Sequence, residues 1–118
     1  MKDSRIAFIG AGNMANSLIR GLVRKGVPPG NLTACDPDTA KLQVLRTECG
    51  IHTGSMAEIA AQADVIVLAV KPQDMDALLA LLAEHVDDRH LVVSVAAGVP
   101  TSRIESALPA GTPVVRVM

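Results

Sequence analysis

Short apolar runs rich in β-branched residues alternate along the chain with longer stretches in which apolar residues recur every three or four positions. That alternation is what repeated strand–helix units around a parallel sheet produce, and here it predicts about six strands. The first covers Arg5 to Ile9, and a helix follows from about Asn13 to Lys25 with Leu18, Ile19, Leu22 and Val23 on one face. Gly26 closes that helix, and Pro28-Pro29 prevents its continuation. A second strand, Leu32 to Cys35, ends at Asp36-Pro37, and a helix from about Thr39 to Cys49 stops at Gly50. Ile51 to Thr53 makes a short third strand.

Ser55 and Glu58 have the spacing of a capping box and start a short helix leading to Ala63-Asp64. Val65 to Val70 is a continuous apolar run, as a central strand covered on both faces requires. A helix carrying Met75, Leu78, Leu79 and Leu82 comes after Pro72, then a fifth strand, Leu91 to Val95. Ser102 and Glu105 repeat the capping-box spacing, and a last strand runs from Val114 to Met118. A strand in that place presents an apolar edge whose unpaired backbone groups invite association. The expectation is a piece of a longer polypeptide that pairs with a second copy.

The strongest chemical signal is Ile6-Ala-Phe-Ile-Gly10-Ala-Gly12-Asn-Met-Ala15, where a strand passes through a Gly-x-Gly-x-x-Ala loop straight into a helix. In such a loop the first glycine permits the tight turn and the second lets the backbone approach a diphosphate. The alanine allows close helix-to-strand packing, and the helix N-terminus offers free N–H groups to the anion. An acidic residue about 20 positions further on is expected to receive a ribose 2′-hydroxyl, and Asp36 stands there. The fold class is therefore α/β, a Rossmann-type doubly wound parallel sheet with helices on both faces and a dinucleotide at the loop. The Asp36 carboxylate favours NAD(H), because it repels the 2′-phosphate of NADP(H). Lys41, one helical turn downstream, is placed to offset that charge, so both cofactors remain open.

Ligands of open α/β sheets lie beyond the carboxyl ends of the strands, where strand order reverses, here between the first and fourth strands. Ala69-Val70-Lys71-Pro72 and Val95-Ala96-Ala97-Gly98 are thereby expected at the same crevice as the glycine loop. Apart from Lys71 these are small residues, suited to a flat ring packing against backbone.

Composition narrows the alternatives. A chain of 118 residues buries a sufficient core as one domain, and 19% charged residues with a net charge of −1 give no basic surface for nucleic acid. Phe8 is the sole aromatic residue, so no stacking platform for single strands exists. Cys35 and Cys49 have neither metal nor redox spacing and read as reduced packing residues. His52, His85 and His90 lack the spacing of a helical metal pair and read as solvated surface residues, so no metal site is expected. No apolar stretch reaches the roughly 18 residues of a membrane span, which makes the cytoplasm the expected location.

FIGAGNMA at 8–15, AVKPQ at 69–73, VVSVAAGV at 92–99 and VVRVM at 114–118 together resemble pyrroline-5-carboxylate reductase over essentially the whole chain. The resemblance implies hydride transfer from NADPH or NADH to the C=N bond of 1-pyrroline-5-carboxylate, giving proline. It implies cofactor contacts at Ile9, Gly10, Ala11, Gly12, Asn13, Met14, Asp36, Ala69, Val70, Lys71, Pro72, Val95, Ala96 and Ala97. It further implies a homo-oligomer in which a helical dimerisation domain, beyond residues 1–118, completes the substrate pocket, so that this chain alone binds nucleotide without turnover. Members of the family that use NADPH often carry Ser, Thr or Asn where Asp36 stands. Because the cofactor performs the hydride chemistry, no catalytic residue is assigned. A cation beside the imine nitrogen would oppose its reactive protonated form, which places Lys71 on the cofactor or its ribose. β-Hydroxyacid dehydrogenases and imine reductases open with a similar loop, and a non-catalytic nucleotide-binding module is the alternative of another class.

Overall fold

The computed structural model describes residues 4–117. Among them the chain forms β1 (Ile6–Ile9), α1 (Asn13–Arg24), β2 (Leu32–Cys35), α2 (Thr39–Cys49), β3 (His52–Thr53) and α3 (Met56–Gln62). It continues as β4 (Val65–Leu68), α4 (Met75–Leu82), β5 (Leu91–Ser94), α5 (Thr101–Ala107) and β6 (Val114–Arg116). Every strand pairing is parallel, and the order across the sheet is β3-β2-β1-β4-β5-β6. The chain starts in the middle, builds outward to β3, then crosses back to β4 and builds outward the other way. This doubly wound order places the reversal between β1 and β4, as the sequence implies.

Alternation along the central strands sends side chains into two apolar layers. Ile6 and Phe8 of β1 join Val67 of β4 under α1 and α2, where Ala15, Ile19 and Leu45 are buried. Ala7 and Ile9 join Ile66 and Leu68 on the opposite face, under Ile59, Met75, Leu79, Leu82 and Ile104 of the other three helices. Both faces of β1 and β4 are thus covered, which is why these strands are apolar throughout rather than alternating.

Three details differ from the sequence pattern. β4 ends at Leu68, two residues early, because its partner β1 stops at Ile9 and Gly10 turns away; Ala69 N donates the final rung, to Ile9 O at 2.9 Å. Ser102 does not open α5: the helix begins at Thr101 with Pro100 at the capping position, and the Ser102 carbonyl accepts a bond from Ser106 Oγ inside the helix. Ser55 and Glu58, by contrast, close both halves of their capping box. The expected strand 114–118 is β6 only as far as Arg116, and Met118 lies outside the described residues.

His90, read from sequence as a surface residue, is 1% exposed. Its Nδ1 accepts from the Asp87 backbone N–H at 3.0 Å, so the proton resides on Nε2, which donates to the Ala60 carbonyl at 2.8 Å. With both ring nitrogens satisfied, burial costs little, and the ring ties the start of β5 to α3. Replacing His90 with Ala leaves both partners unpaired around a cavity. It should lower unfolding free energy in urea by about 2–4 kcal/mol, and an unchanged midpoint would contradict this role.

Candidate functional site

The carboxyl ends of β1, β2 and β4 meet at the glycine loop. Gly10 has φ +108°, and a Cβ built there would lie 2.5 Å from the Ala69 carbonyl oxygen. Two reasons therefore exclude any other residue: the positive φ and the contact with β4. Gly10 N donates to Cys35 O at 2.9 Å, which closes the loop against the end of β2. Gly12 differs, for a Cβ at its position would meet nothing within 4 Å. It caps α1 without a side-chain bond, and no acidic residue occupies the first turn, so the positive end of this 12-residue helix faces outward from the loop. Ala15 is fully buried beneath it.

Asp36 binds the loop itself. One carboxylate oxygen accepts from Ala11 N at 2.8 Å and the other from Asp38 N at 2.8 Å. Asp38 in turn caps α2 through Ala40 N and Lys41 N, which sets Lys41 in the first turn of that helix. On the other side the Lys71 carbonyl accepts from Asp74 N in the turn Pro72–Asp74. Arg103 of α5 holds that turn by pairing with Asp76 and reaching the Pro72 carbonyl.

A cleft of about 680 Å³ opens between these elements. Ile9, Gly10, Gly12, Asp36, Ala69, Val70 and Lys71 from the sequence-based set line it, along with Lys41. A smaller cleft of about 330 Å³ on the far side of the loop is lined by Ala11, Gly12 and Asn13, and both lysines border it too. Met14 is 54% exposed on the first turn of α1 and, like Pro72, borders neither cleft. Val95, Ala96 and Ala97 also border neither: they lie one strand further along the same rim, Val95 N bonded to Leu68 O, Ala96 buried and Ala97 exposed.

The lining residues missed from sequence are Cys35 and Pro37 on either side of Asp36 and those of the far wall: Gly54, Ser55 and Met56 at the end of β3, and Asp74, Ala77, Leu78 and Leu81 on α4 and its approach. The β3 group was accessible to the rule that sites gather at strand carboxyl ends. Among the described residues no cluster of three or more His, Cys, Asp or Glu is placed to hold a metal ion, and no helix is long and apolar enough to cross a membrane.

Parallel order, reversal point and glycine loop define a dinucleotide-binding α/β domain of the oxidoreductase type, and the chain belongs to the family described as NADP oxidoreductase coenzyme F420-dependent, whose model matches residues 5–98. Within that class the chain is similar to pyrroline-5-carboxylate reductases. It is 47% identical to the pyrroline-5-carboxylate reductase of Pseudomonas aeruginosa and 42% identical to that of Methanosarcina acetivorans, in each case over 100% of this chain and 44% of the relative. The solved pyrroline-5-carboxylate reductase from Coxiella burnetii superposes with a TM-score of 0.92 at 36% identity, covering 98% of this chain and 43% of that one. The chain thus spans less than half the length of these relatives.

Cys35, at the base of the cleft, is buried, and burial pushes its thiol up to about 11, the Asp36 charge adding to the shift and the Gly10 amide opposing it. The folded state therefore holds this proton more tightly than the unfolded chain. Stability owed to the thiol is complete below its ordinary 9.0 and is lost as pH rises towards about 11. Denaturation at pH 8 and pH 11 should show a loss of about 2 kcal/mol that Cys35→Ala abolishes; an equal loss in the variant would disprove the link.

Proposed function

We propose that residues 1–118 form the NAD(P)-binding domain of a pyrroline-5-carboxylate reductase, holding NAD(H) or NADP(H) for the reduction of 1-pyrroline-5-carboxylate to L-proline. The observation that carries this reading is the passage of β1 through Gly10-Ala11-Gly12 into the uncapped start of α1, at the point where strand order reverses. The resemblance to the reductases narrows it from dinucleotide binding to this substrate.

The residues fit a dinucleotide. The fold needs Gly10, but nothing within 4 Å of Gly12 demands a glycine there. A ligand pressed against the loop supplies the reason, since a side chain would occupy its place. The amides of the α1 first turn and the helix dipole suit a diphosphate, and Lys41 and Lys71 flank it on both sides. Asp36, held by two amides, presents its remaining acceptor capacity to ribose hydroxyls.

Once bound, the nicotinamide supplies hydride for the imine carbon. The chain's part is placement. Ile9 to Met14 hold the diphosphate, Asp36 fixes the ribose, and Ala69, Val70 and Lys71 form the wall beside it, with Pro72 opening the turn that follows. Val95, Ala96 and Ala97 extend that rim towards the reacting end. Lys71 serves the cofactor and not proton transfer, since a cation near the imine nitrogen disfavours its protonated form. Operation in the cytoplasm belongs to the same proposal. So does self-association, with β6 at the sheet edge and the exposed Val115 and Val117 on and just after it beside a second copy.

The two glycines separate fold from binding. Gly10→Ala should cost about 2–5 kcal/mol of stability through its φ and its collision with Ala69. Gly12→Ala should leave stability within about 0.5 kcal/mol while weakening NADH binding by tenfold or more in calorimetric titration. Unweakened binding in the Gly12 variant removes the loop from the site and the proposal with it.

Cofactor choice turns on Asp36. Asp36→Ser should shift the ratio of NADPH to NADH affinity by about tenfold or more towards NADPH. An unmoved ratio would show that this carboxylate does not face the ribose.

A further inference from the structure

The large cleft does not end at the loop. Beyond Asp36 it continues to a wall made by Met56, Ala77, Leu78 and Leu81, the last of these 62% exposed. A flat, largely apolar ring is the kind of group such a wall accepts. On the reading that the site takes a dinucleotide, its base lies here, on the far side of the ribose from the diphosphate.

The polar groups of the cleft differ in what they have left to offer. Each Asp36 oxygen accepts from one backbone amide, and its remaining acceptor capacity is taken by the ribose on the reading above. The Ser55 hydroxyl accepts from Glu58 N inside the capping box. Lys41 and Lys71 are cations and have only protons to donate. Asp74 is the exception. It lines the cleft, and its carboxylate does not cap α4. Among the described residues it has no hydrogen bond or ion pair, its position being held by the backbone bond from Asp74 N to Lys71 O.

We propose that Asp74 is a specificity-determining residue that accepts a hydrogen bond from the 6-amino group of adenine, so that the site selects an adenine dinucleotide over a 6-oxopurine one. This rests on the dinucleotide reading above. An ionised carboxylate only accepts, and the amino group of adenine is a donor. A 6-oxopurine presents an oxygen at the same place, which the carboxylate repels. The apolar wall tolerates either base; Asp74 distinguishes them.

The test is calorimetric titration of the 118-residue chain, and of its Asp74→Asn and Asp74→Ala variants, with NADH and with nicotinamide hypoxanthine dinucleotide, reduced form. Asp74 is exposed and its side chain holds nothing in the fold, so both variants should keep the wild-type unfolding midpoint. The wild-type chain should bind the adenine form about tenfold more tightly. In both variants the preference should collapse to within about threefold, Asp74→Ala by weakening the adenine form and sparing the 6-oxo form its repulsion, and Asp74→Asn because an amide can donate to the 6-oxo group. Binding with an unchanged tenfold preference in both variants, or with no preference in the wild type, overturns the role of Asp74 and leaves dinucleotide binding intact. Failure of the wild-type chain to bind either compound overturns both.

Discussion

At the centre of the sheet the backbone of Gly10 lies so near the carbonyl of Ala69 that even a methyl group would collide with it. The contact joins residues far apart in sequence and sits where the chain, having built one half of the sheet, has come back to build the other. Because Gly10 can turn there, β1 ends and α1 begins within three residues. Because it must turn there, β4 loses its partner and releases Ala69 to Pro72 towards the rim. The loop, the opening of the cleft and the end of the central strand are consequences of one backbone approach.

Around that point the structure relies on main-chain amides and few side chains. Asp36 fastens β2 to the loop through Ala11, and Asp38 extends the same chain of contacts into α2. Arg103 steadies the opposite wall from α5. Charge in the cleft is therefore balanced and local: the Asp36 carboxylate held by the backbone and that of Asp74 left open, with Lys41 and Lys71 at the border between the two hollows. A site built this way favours binding and orientation, which is the protein's share of work when the cofactor performs the reaction.

Much of this was legible in the sequence, for reasons that can be named. Strands and helices were found by periodicity because both faces of the central strands are covered and α1 and α4 bury a clean stripe. The reversal between the first and fourth strands followed from the doubly wound pattern of open α/β sheets. The loop and Asp36 were found because their spacing is set by one strand and one helix, a local ruler. What escaped depends on distant partners. His90 is buried because a carbonyl 30 residues away receives its proton. Ser102 fails to cap because Pro100 reaches the helix start first. The far wall of the cleft, from Met56 to Leu81, is assembled from segments that only the fold makes neighbours. Val95 to Ala97 share the rim but stand beside the hollows and not in them.

The histidine that ties β5 to α3 sits at the amino end of the sheet, while the loop and both hollows open at the carboxyl end. Gly10 and His90 thus secure the fold from opposite poles of the same parallel strands. Sequence drift at the amino pole can adjust tolerance of heat while leaving the cleft untouched, whereas drift at the carboxyl pole is confined to positions such as Gly12 that the scaffold does not need. A lineage built on such a sheet can change what it grips many times over the lifetime of a single architecture.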